Sequence, residues 1–423
     1  MKILVLGSGA REHAIIIALL AEGAGHEVIA APGNAGIARV ATLVDLDPND
    51  PVAVTNFANE AGVNLVVIGP EAPLVAGVAD ELREHGVPVF GPGRAAAQLE
   101  GSKAFAKRIM DAAAVPTGRA MRAASLAEVE AALDELGAPH VVKADGLAAG
   151  KGVIVTDDRA AALAHAAEFL PKGPLLIEEF LAGPEVSLFF VSDGHTVVPL
   201  SPAQDYKRAL DGDAGPNTGG MGAYSPLPWL GAQFGGEEEF VAEVQHTVAE
   251  PVIRQLASEQ TPFIGLLYAG LILTADGIRV IEFNARFGDP ETQVVLPRLA
   301  TPLSELLFAA ASGTLHETDA PRFALDTAVT VVLASEGYPE APQTGRVITG
   351  LDAATAIDGV HIAHAATADR DGELVATGGR VLSVVAVGTT FAESVERAYR
   401  AIAEISLDGS HYRSDIAAVV IEN

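Results

Sequence analysis

The sequence predicts a multidomain protein of mixed α/β and α+β class, and three observations support that prediction. In the first hundred residues, short apolar runs alternate with helical patterns, as in a doubly wound parallel sheet. Further on, two apolar runs flank Ala275-Asp276-Gly277, which is typical of an antiparallel hairpin. After Gly313 the composition changes, and strand-like runs alternate with turns. We expect a parallel-sheet domain at the N-terminus, a central region and a mixed α/β domain at the C-terminus.

Length, charge and composition limit the class of protein. The chain has 423 residues, enough for roughly two to four domains, and its mean hydropathy is +0.30. A net charge of −28 argues against a nucleic-acid or acidic-membrane partner. The absence of cysteine excludes disulfides, thiol catalysis and cysteine-bound zinc. No apolar run approaches the roughly 18 residues of a membrane span, and no signal peptide is evident. We expect a soluble, cytoplasmic protein.

The N-terminal domain begins with a strand, Lys2–Leu6, and a glycine turn. The turn starts like a dinucleotide-binding motif, but Glu12 stands in place of the third glycine, and no acidic residue closes the next strand. These departures argue against NAD, although the glycines still allow a helix N-terminus to approach another phosphate. Ligands bind beyond the carboxyl ends of parallel strands. The turns at such ends are Gly7-Ser8-Gly9, Pro32-Gly33-Asn34 and Gly69-Pro70-Glu71.

A helix and a glycine-rich loop carry the next lysines. Ser102 is suited to cap a helix that bears Lys103 and Lys107 one turn apart, and a solvated helix face is the simplest interpretation of both. The loop 144–152 joins two short predicted strands, and Lys143 lies at its base. Its backbone N–H groups and Lys151 can surround a phosphate, although its spacing is not that of a Walker A loop. We interpret it as a flap over a triphosphate; an ordinary hairpin is the alternative.

Two further segments indicate binding sites, one for a nucleotide and one for an anion. The strand from Leu175 ends at Glu178 and bends toward Glu185, an arrangement that can offer backbone groups to adenine and a carboxylate to ribose. Residues 201–226 show little apolar periodicity, as expected of a functional loop. Because basic residues stand beside glycines there, we expect an anion-binding loop.

The second strand of the hairpin offers a candidate metal site. Glu282 and Asn284 are two residues apart and leave the same face, whereas Ile281 and Phe283 point toward the core. A carboxylate and an amide oxygen suit a hard cation such as Mg²⁺; a solvated polar face is the alternative. Charge crowds the tight turn that follows, which favours a functional site. That turn contains Arg286, Gly288, Asp289 and Glu291.

The C-terminal region shows no catalytic pattern. A linker-like stretch, 316–322, precedes two strong strand patterns, and the last helix begins with the capping box Thr390–Glu393. We expect a packing domain that forms one side of the cleft.

Taken together, these residues predict ATP-dependent activation of a carboxylate. Mg²⁺ would neutralise phosphate oxygens, the lysines would hold the triphosphate, and the γ-phosphoryl group would pass to a carboxylate. An amine would then displace phosphate from the acyl phosphate.

Five long motifs resemble those of the phosphoribosylamine–glycine ligase family of the ATP-grasp superfamily, and the resemblance runs essentially end to end. The motifs are Gly69-Pro70-Glu71-Ala72-Pro73-Leu74, Leu99-Glu100-Gly101-Ser102-Lys103, the segment from Lys143 to Gly152, Gly215-Pro216-Asn217-Thr218-Gly219-Gly220-Met221-Gly222, and the segment from Glu282 to Thr292.

The resemblance implies an activity and a domain layout. The reaction would be ATP-dependent joining of glycine to 5-phosphoribosylamine, with Mg²⁺ (or Mn²⁺) as the cofactor. The implied domains are an N-terminal domain (1–101), an ATP-grasp domain (102–315, with a flap subdomain at about 117–188) and a C-terminal domain (323–423). We expect a monomer or a weak homodimer with no nucleic-acid or membrane partner.

The resemblance also implies a role for each matching residue. The metal would be held by Glu282 and Asn284. Contacts to ATP would come from Lys103, Lys143, the flap Gly150-Lys151-Gly152, the adenine-binding segment Glu178, Glu179, Phe180 and Leu181, and Glu185 at the ribose. Phosphoryl transfer would depend on Arg286, Lys143 and Lys151. The acceptor substrates would meet Gly9, Glu71, Asp205, Lys207, Asn217, Thr218, Gly219, Arg286, Gly288 and Asp289.

One departure from the superfamily pattern concerns the metal. Many ATP-grasp enzymes carry a further acidic ligand on the strand before the hairpin, but Tyr268-Ala269-Gly270-Leu271 contains none. Mg²⁺ would then rely more on phosphate and water. The alternatives are an ATP-grasp ligase with another acceptor, such as a purine-pathway carboxylase or formate-dependent transformylase, and a nucleotide-binding regulatory protein without turnover.

Overall fold

The N-terminal domain is the expected doubly wound parallel sheet. A computed structural model describes residues 1–146 and 152–421. The sheet has the order β3-β2-β1-β4-β5. The strands after β1 are added first on one side of it and then, from β4, on the other, so the strand order switches between β1 and β4. Its strands are β1 (Lys2–Gly7), β2 (Glu27–Pro32), β3 (Thr42–Leu43), β4 (Leu65–Ile68) and β5 (Val89–Phe90), and its helices are α1 (Ala10–Ala21), α2 (Pro51–Ala61), α3 (Glu71–Ala76), α4 (Val78–Glu84) and α5 (Gln98–Gly101).

The central region contains two antiparallel sheets, β6-β9-β7-β8 and β11-β10-β16-β17. Its helices are α6 (Lys103–Ala112), α7 (Leu126–Leu136), α8 (Arg159–Phe169), α9 (Leu230–Phe234), α10 (Glu237–Val244), α11 (Glu250–Ser258), α12 (Thr292–Val295) and α13 (Leu303–Ser312). Its strands are β6 (Ala120–Ala123), β7 (His140–Ala144), β8 (Val153–Thr156), β9 (Leu175–Glu178), β10 (Glu185–Asp193), β11 (Val197–Pro199), β12 (Gln204–Asp205), β13 (Arg208–Leu210), β14 (Ala214–Asn217), β15 (Gly222–Ser225), β16 (Ile264–Thr274) and β17 (Gly277–Asn284).

The C-terminal sheet, of order β12-β15-β18-β23-β20, includes two strands from the central region. The segment 201–226 is therefore not a plain loop: β15 pairs with β18 along its whole length, so its regular structure depends on a distant partner and not on its own periodicity. The remaining elements are β18 (Thr327–Ala334), β19 (Ile348–Thr349), β20 (Val360–His364), β21 (Thr367–Arg370), β22 (Glu373–Ala376), β23 (Arg380–Gly388), β24 (Ser406–Leu407), α14 (Leu351–Thr355), α15 (Phe391–Glu404) and α16 (Ala418–Ile421).

The β16–β17 hairpin forms where the sequence predicts it. Gly270 pairs with Glu282 and Tyr268 with Asn284, so the two candidate metal ligands lie on one strand face. The register shifts between Gly270 and Leu271, and Ile281 is the extra residue of this bulge. Phe283 is buried as expected, but Ile281 is only half-buried because the bulge interrupts the alternation of side chains.

Local helix signals also agree with the sequence. The Ser102 side chain accepts a hydrogen bond from the Phe105 N–H at 3.1 Å, which caps α6. The Thr390 hydroxyl accepts from the Glu393 N–H at 3.3 Å, as the predicted capping box requires, but Glu393 accepts from the N–H of Thr389, one residue before the N-cap, at 2.8 Å. None of the helices in the described residues is both long and apolar enough to cross a membrane.

Buried polar groups join the N-terminal and C-terminal domains. Asn34 Nδ2 donates to the carbonyls of Ser8 and His364, both at 2.8 Å. The His364 N–H donates to His13 Nδ1 at 2.9 Å, and both histidines are 4% exposed. Burial, helped by His364, lowers the pKa of His13 to about 3. The interface therefore needs a neutral His13.

We expect this interface to weaken in acid. An unfolded histidine gains a proton below about pH 6.5, whereas buried His13 stays neutral, so stability falls as the pH drops from about 6.5 toward 3. At pH 5 the loss from His13 is about 2 kcal/mol. In His13→Asn, the amide oxygen can still accept from His364, and urea-unfolding midpoints at pH 7 and pH 5 should lie closer together than in the wild type.

The control is His246→Asn, which replaces an imidazole that is 83% exposed. It should keep the wild-type difference between the two midpoints. An equal difference in His13→Asn would contradict this account of the interface.

Candidate active site

Glu282 lies at the centre of a group of lysines from separate elements. Burial by itself would raise its pKa, but the positive charges of Lys207, Lys143 and Lys103 outweigh that effect and lower it. These lysines come from the segment after β12, from β7 and from the start of α6. The arrangement can hold a polyanion beside an ionised carboxylate.

Lys107 belongs to this site, contrary to its interpretation as part of a solvated face. Its Nζ lies 3.3 Å from Glu178 Oε2 and donates to Gly118 O at 2.9 Å. Lys143 Nζ donates to the same Glu178 oxygen at 3.0 Å, and the Glu178 side chain is 7% exposed. Burial lowers the pKa of Lys107, against the effect of Glu178. Its partners are far away in sequence, so helix periodicity could not reveal its burial.

The start of α6 holds the end of β7. Asp145 accepts from the Ser102 hydroxyl at 3.2 Å and from the Ala104 N–H at 3.3 Å. Lys103 Nζ donates to the Gly146 carbonyl at 3.2 Å, so Lys103 is not simply solvated. The Ala144 N–H donates to Gly152 O at 2.7 Å. The predicted flap residues Gly150 and Lys151 lie outside the described residues.

The predicted adenine-binding segment, 178–181, contains two paired carboxylates followed by two apolar side chains. The Glu178 carboxylate forms ion pairs with Lys107 and Lys143. The Glu179 N–H donates to the Arg119 carbonyl at 3.0 Å, and the Glu179 carboxylate accepts from the Arg119 N–H at 2.8 Å. Phe180, in contrast, is 44% exposed and adjoins Leu181. Hydrogen-bonding contacts to a base would therefore fall to the backbone of this segment more readily than to its carboxylates.

Arg286 is held by two carboxylates of the N-terminal domain. Its Nη2 lies 2.9 Å from Glu100 Oε1, and its Nε lies 3.2 Å from Glu71 Oε2. Burial opposes the charge of Arg286, but Glu100 and Glu71 raise its pKa, so it stays cationic. Glu100 also accepts from the Ala285 N–H at 2.8 Å. Glu100 belongs to the Leu99–Lys103 motif, but the resemblance implied no role for it.

The glycine turn after β1 faces the same cleft as Arg286. Arg11 Nη1 donates to the Phe287 carbonyl at 3.1 Å, and a Cβ at Gly9 would lie 3.9 Å from Asp289 Oδ2. The Gly9 N–H donates to Glu12 Oε2 at 2.6 Å. Glu12 stands where a dinucleotide-binding motif has its third glycine, and its side chain fills the space beside Gly7 and Gly9. The Gly9 N–H therefore already has an acceptor.

The C-terminal domain contributes Arg380, which the sequence did not single out. Its Nη1 donates to the carbonyls of Gly219 at 2.6 Å and Asp289 at 2.8 Å, and its Nη2 lies 3.4 Å from Asp289 Oδ2. Burial would raise the pKa of Asp289, but Arg380 and Arg11 outweigh it and lower the pKa. A Cβ at Gly220 would lie 2.4 Å from Pro290, so the glycine loop packs directly on this turn.

The predicted acceptor residues form a polar cluster beside Glu282. Lys207 pairs with Glu185 and lies 4.0 Å from Asp205. Burial, with Glu291 and Glu185 nearby, raises the pKa of Asp205 to about 7, against the opposing effect of Lys207. Glu291 is 3% exposed and accepts from the Tyr268 hydroxyl at 2.7 Å.

The other loop residues differ in their distance from this cluster. Thr218 donates to the Lys207 carbonyl through its N–H at 2.7 Å and its hydroxyl at 2.9 Å. Asn217 is exposed and accepts from Arg208 at 3.2 Å. A Cβ at Gly288 would lie 2.6 Å from the Glu291 carboxylate, so a larger residue there would displace that carboxylate.

The Glu282–Asn284 pair fits a hard cation by the chemistry of its donors. Gly270, opposite Glu282, has no side chain, and a Cβ there would lie 3.3 Å from Glu282 Cγ. Within residues 1–146 and 152–421, no group of three or more His, Cys, Asp or Glu side chains forms a metal site. The pair therefore suits a cation that takes most of its ligands from phosphate and water.

The parallel-sheet domain, the two antiparallel sheets and the lysines around Glu282 define an ATP-grasp enzyme. The chain belongs to the phosphoribosylglycinamide synthetase family: the family models match for the N domain at residues 1–100, the ATP-grasp (A) domain at 101–292 and the C domain at 328–419.

Relatives match over almost the whole chain. The phosphoribosylamine–glycine ligase of Leifsonia xyli is 73% identical over 421 residues, which are 99% of this chain and 100% of the relative. The Streptomyces coelicolor enzyme of the same name is 57% identical over 420 residues, 99% of each chain. The crystal structure of the Thermotoga maritima phosphoribosylamine–glycine ligase has a TM-score of 0.81 at 35% identity, with 99% of this chain and 100% of that chain covered.

Loss of Arg380 should loosen the turn at Asp289. Arg380→Ala removes the ion-pair partner of a largely buried carboxylate and the donor to two carbonyls, and we expect a loss of about 2 kcal/mol in unfolding free energy. Arg380→Lys should lose less, because it keeps the charge but lacks the planar fork that reaches several oxygens. Urea unfolding measures both.

Arg370→Ala removes an exposed arginine from β21 of the same domain and serves as the matched control. Its unfolding midpoint should equal that of the wild type. If Arg380→Ala behaved like Arg370→Ala, Arg380 would not hold the turn.

Proposed function

We propose that the protein joins glycine to 5-phosphoribosylamine to give glycinamide ribonucleotide, with conversion of ATP to ADP and phosphate, in purine biosynthesis. The observation that carries the proposal is the position of Arg286, between the lysines around Glu282 and the N-terminal turn that bears Glu71. This geometry suits a phosphoryl group that moves between a nucleotide and a second substrate. The shared name of the full-length relatives supplies the substrates.

ATP binding would use the cations and the bend after β9. Lys103 and Lys143 would contact the phosphates, with Lys143 oriented by Glu178. Adenine would pair with backbone groups of 179–181, and Glu185 would take ribose hydroxyls in exchange for part of its contact with Lys207. Roles for Gly150, Lys151 and Gly152 in covering the phosphates remain predictions.

Glu282 and Asn284 would hold Mg²⁺ (or Mn²⁺). When bound, the ion neutralises phosphate oxygens and favours departure of ADP. The donor pair supports this assignment because Mg²⁺ commonly uses one or two protein groups and completes its shell with phosphate and water.

The reaction would proceed in two transfers. A glycine carboxylate oxygen attacks the γ-phosphorus, the bond to the ADP oxygen breaks, and glycyl phosphate forms while Arg286 offsets the negative charge. The amine of phosphoribosylamine then attacks the glycyl carbonyl, and phosphate leaves. The amine must lose a proton in this step, and Asp205, whose pKa is raised to about 7, suits a proton acceptor near neutral pH.

The acceptor substrates would lie between the turns around Arg286. Phosphoribosylamine would meet Gly9 and Glu71, and the glycine pocket would include Lys207, Thr218, Gly219 and Asp289, with Asn217 at its rim.

We also propose the domain limits 1–101, 102–315 and 323–423, a cytoplasmic location, and a monomer or weak homodimer.

A ligase assay with purified protein tests the function. Product formation, and ADP release at the full rate, should require glycine and phosphoribosylamine together, since glycine supplies the carboxylate and phosphoribosylamine supplies the amine that joins it. Bicarbonate or formate in place of glycine should give no product. Turnover with either of these, or none with glycine, would contradict the proposal.

Replacement of Glu282 tests the metal site. Glu282→Gln keeps the size of the side chain but removes the charge, and the rate should fall at least about 100-fold because the developing charge loses its metal. Thermal unfolding should stay near that of the wild type. Glu238→Gln changes an exposed carboxylate on α10 and should keep full activity. Wild-type turnover by Glu282→Gln would refute the metal role.

A further inference from the structure

The two carboxylates that hold Arg286 differ in how firmly they are fixed. The Glu100 side chain is 8% exposed, and its two oxygens meet Arg286 Nη2 at 2.9 Å and the Ala285 N–H at 2.8 Å. The Glu71 side chain is 38% exposed and meets Arg286 through Oε2 at 3.2 Å. Glu100 is therefore a permanent partner of Arg286, whereas an incoming group in the cleft can reach Glu71.

Each carboxylate belongs to a different part of the site. Glu71 begins α3 directly after β4, at the carboxyl end of a strand beside the point where the chain reverses across the parallel sheet. Ligands of such sheets bind there. Glu100 lies shortly before Ser102 and Lys103 in the sequence. Those two residues contact Asp145 and Gly146 at the end of β7, in the part of the site that contains the lysines. Arg286 thus links an acceptor side and a phosphate side.

Glu71 engages the single N–H donor on Nε of the Arg286 guanidinium. Arginine has five N–H donors, but Nε carries only one of them. Glu71 takes that donor, while Nη2 faces Glu100 and Nη1 donates to the Phe287 carbonyl at 3.1 Å. Departure of Glu71 frees Nε–H and leaves the other two contacts in place. Arg286 would then offer one further free donor and a less neutralised charge.

We propose that Glu71 restrains Arg286 until 5-phosphoribosylamine binds, so that phosphoryl transfer to glycine begins only when the amine acceptor is present. The substrate's hydroxyl and amino donors compete for the Glu71 carboxylate and release Arg286 toward the γ-phosphoryl group. Glu100 is a positioning residue that keeps Arg286 in reach throughout. The inference rests on the proposed function and assigns Glu71 a role beyond substrate contact.

This restraint would prevent a wasteful reaction. If glycyl phosphate formed without the amine, water would attack its carbonyl carbon and the bond to the phosphate oxygen would break. Glycine and inorganic phosphate would result, and one ATP would be converted to ADP without product. A link between the acceptor subsite and Arg286 delays the first transfer until the second can follow.

A matched pair of variants tests the restraint. Glu71→Gln and Glu100→Gln each remove one negative charge from Arg286 and keep the side-chain size. ADP release is measured with ATP, Mg²⁺ and glycine, first without and then with phosphoribosylamine. In Glu71→Gln, the amine-independent rate itself should rise about tenfold over that of the wild type, the factor for one hydrogen bond to a charged group.

Glu100→Gln should instead lower both rates together and leave their ratio unchanged, because it disturbs the position of Arg286. Thermal unfolding of each variant confirms that it is folded. An amine-independent rate in Glu71→Gln no higher than in the wild type, or an equal rise in both variants, would overturn the proposal. Product formation by the wild type is scored separately, so its absence would indicate failure of the proposed function and not of the restraint alone.

Discussion

The charge of Arg286, whose side chain is 19% exposed, constrains how the domains meet. Its guanidinium requires the carboxylates of Glu71 and Glu100, and an unpaired charge in such surroundings costs several kcal/mol. The turn that follows is held by Arg11 from α1 and by Arg380 from β23. All three parts of the chain therefore satisfy charges at one turn. A different packing of the domains would leave several of these groups without partners.

Several cations gather at the site although the chain as a whole is acidic. The protein has a net charge of −28, yet Lys103, Lys143 and Lys207 surround Glu282. Clustered cations can bind an anion even when the total charge of the chain is negative. The carboxylates nearby, Glu178 and Glu185, pair with these lysines and fix their positions. They also limit mutual repulsion between the lysines.

Short-range patterns in the sequence were reliable wherever the structure depends on neighbours along the chain. The parallel strands, the hairpin and the Ser102 cap were predicted because alternation, turn chemistry and capping act over a few residues. Lys107 was misjudged because its burial depends on Glu178 and Gly118. Arg380 gave no signal at all, since its partners belong to another domain.

The sequence by itself determined the class of fold, the family motifs and the candidate metal pair, because strand alternation places Glu282 and Asn284 on one face. The tertiary structure decided which groups those residues meet. It added Glu100, Lys107 and Arg380 to the site, and it divided the carboxylates around Arg286 into one buried and one accessible partner. The physical reason is that burial and charge neutralisation depend on distances between segments far apart in the chain, which local spacing does not specify.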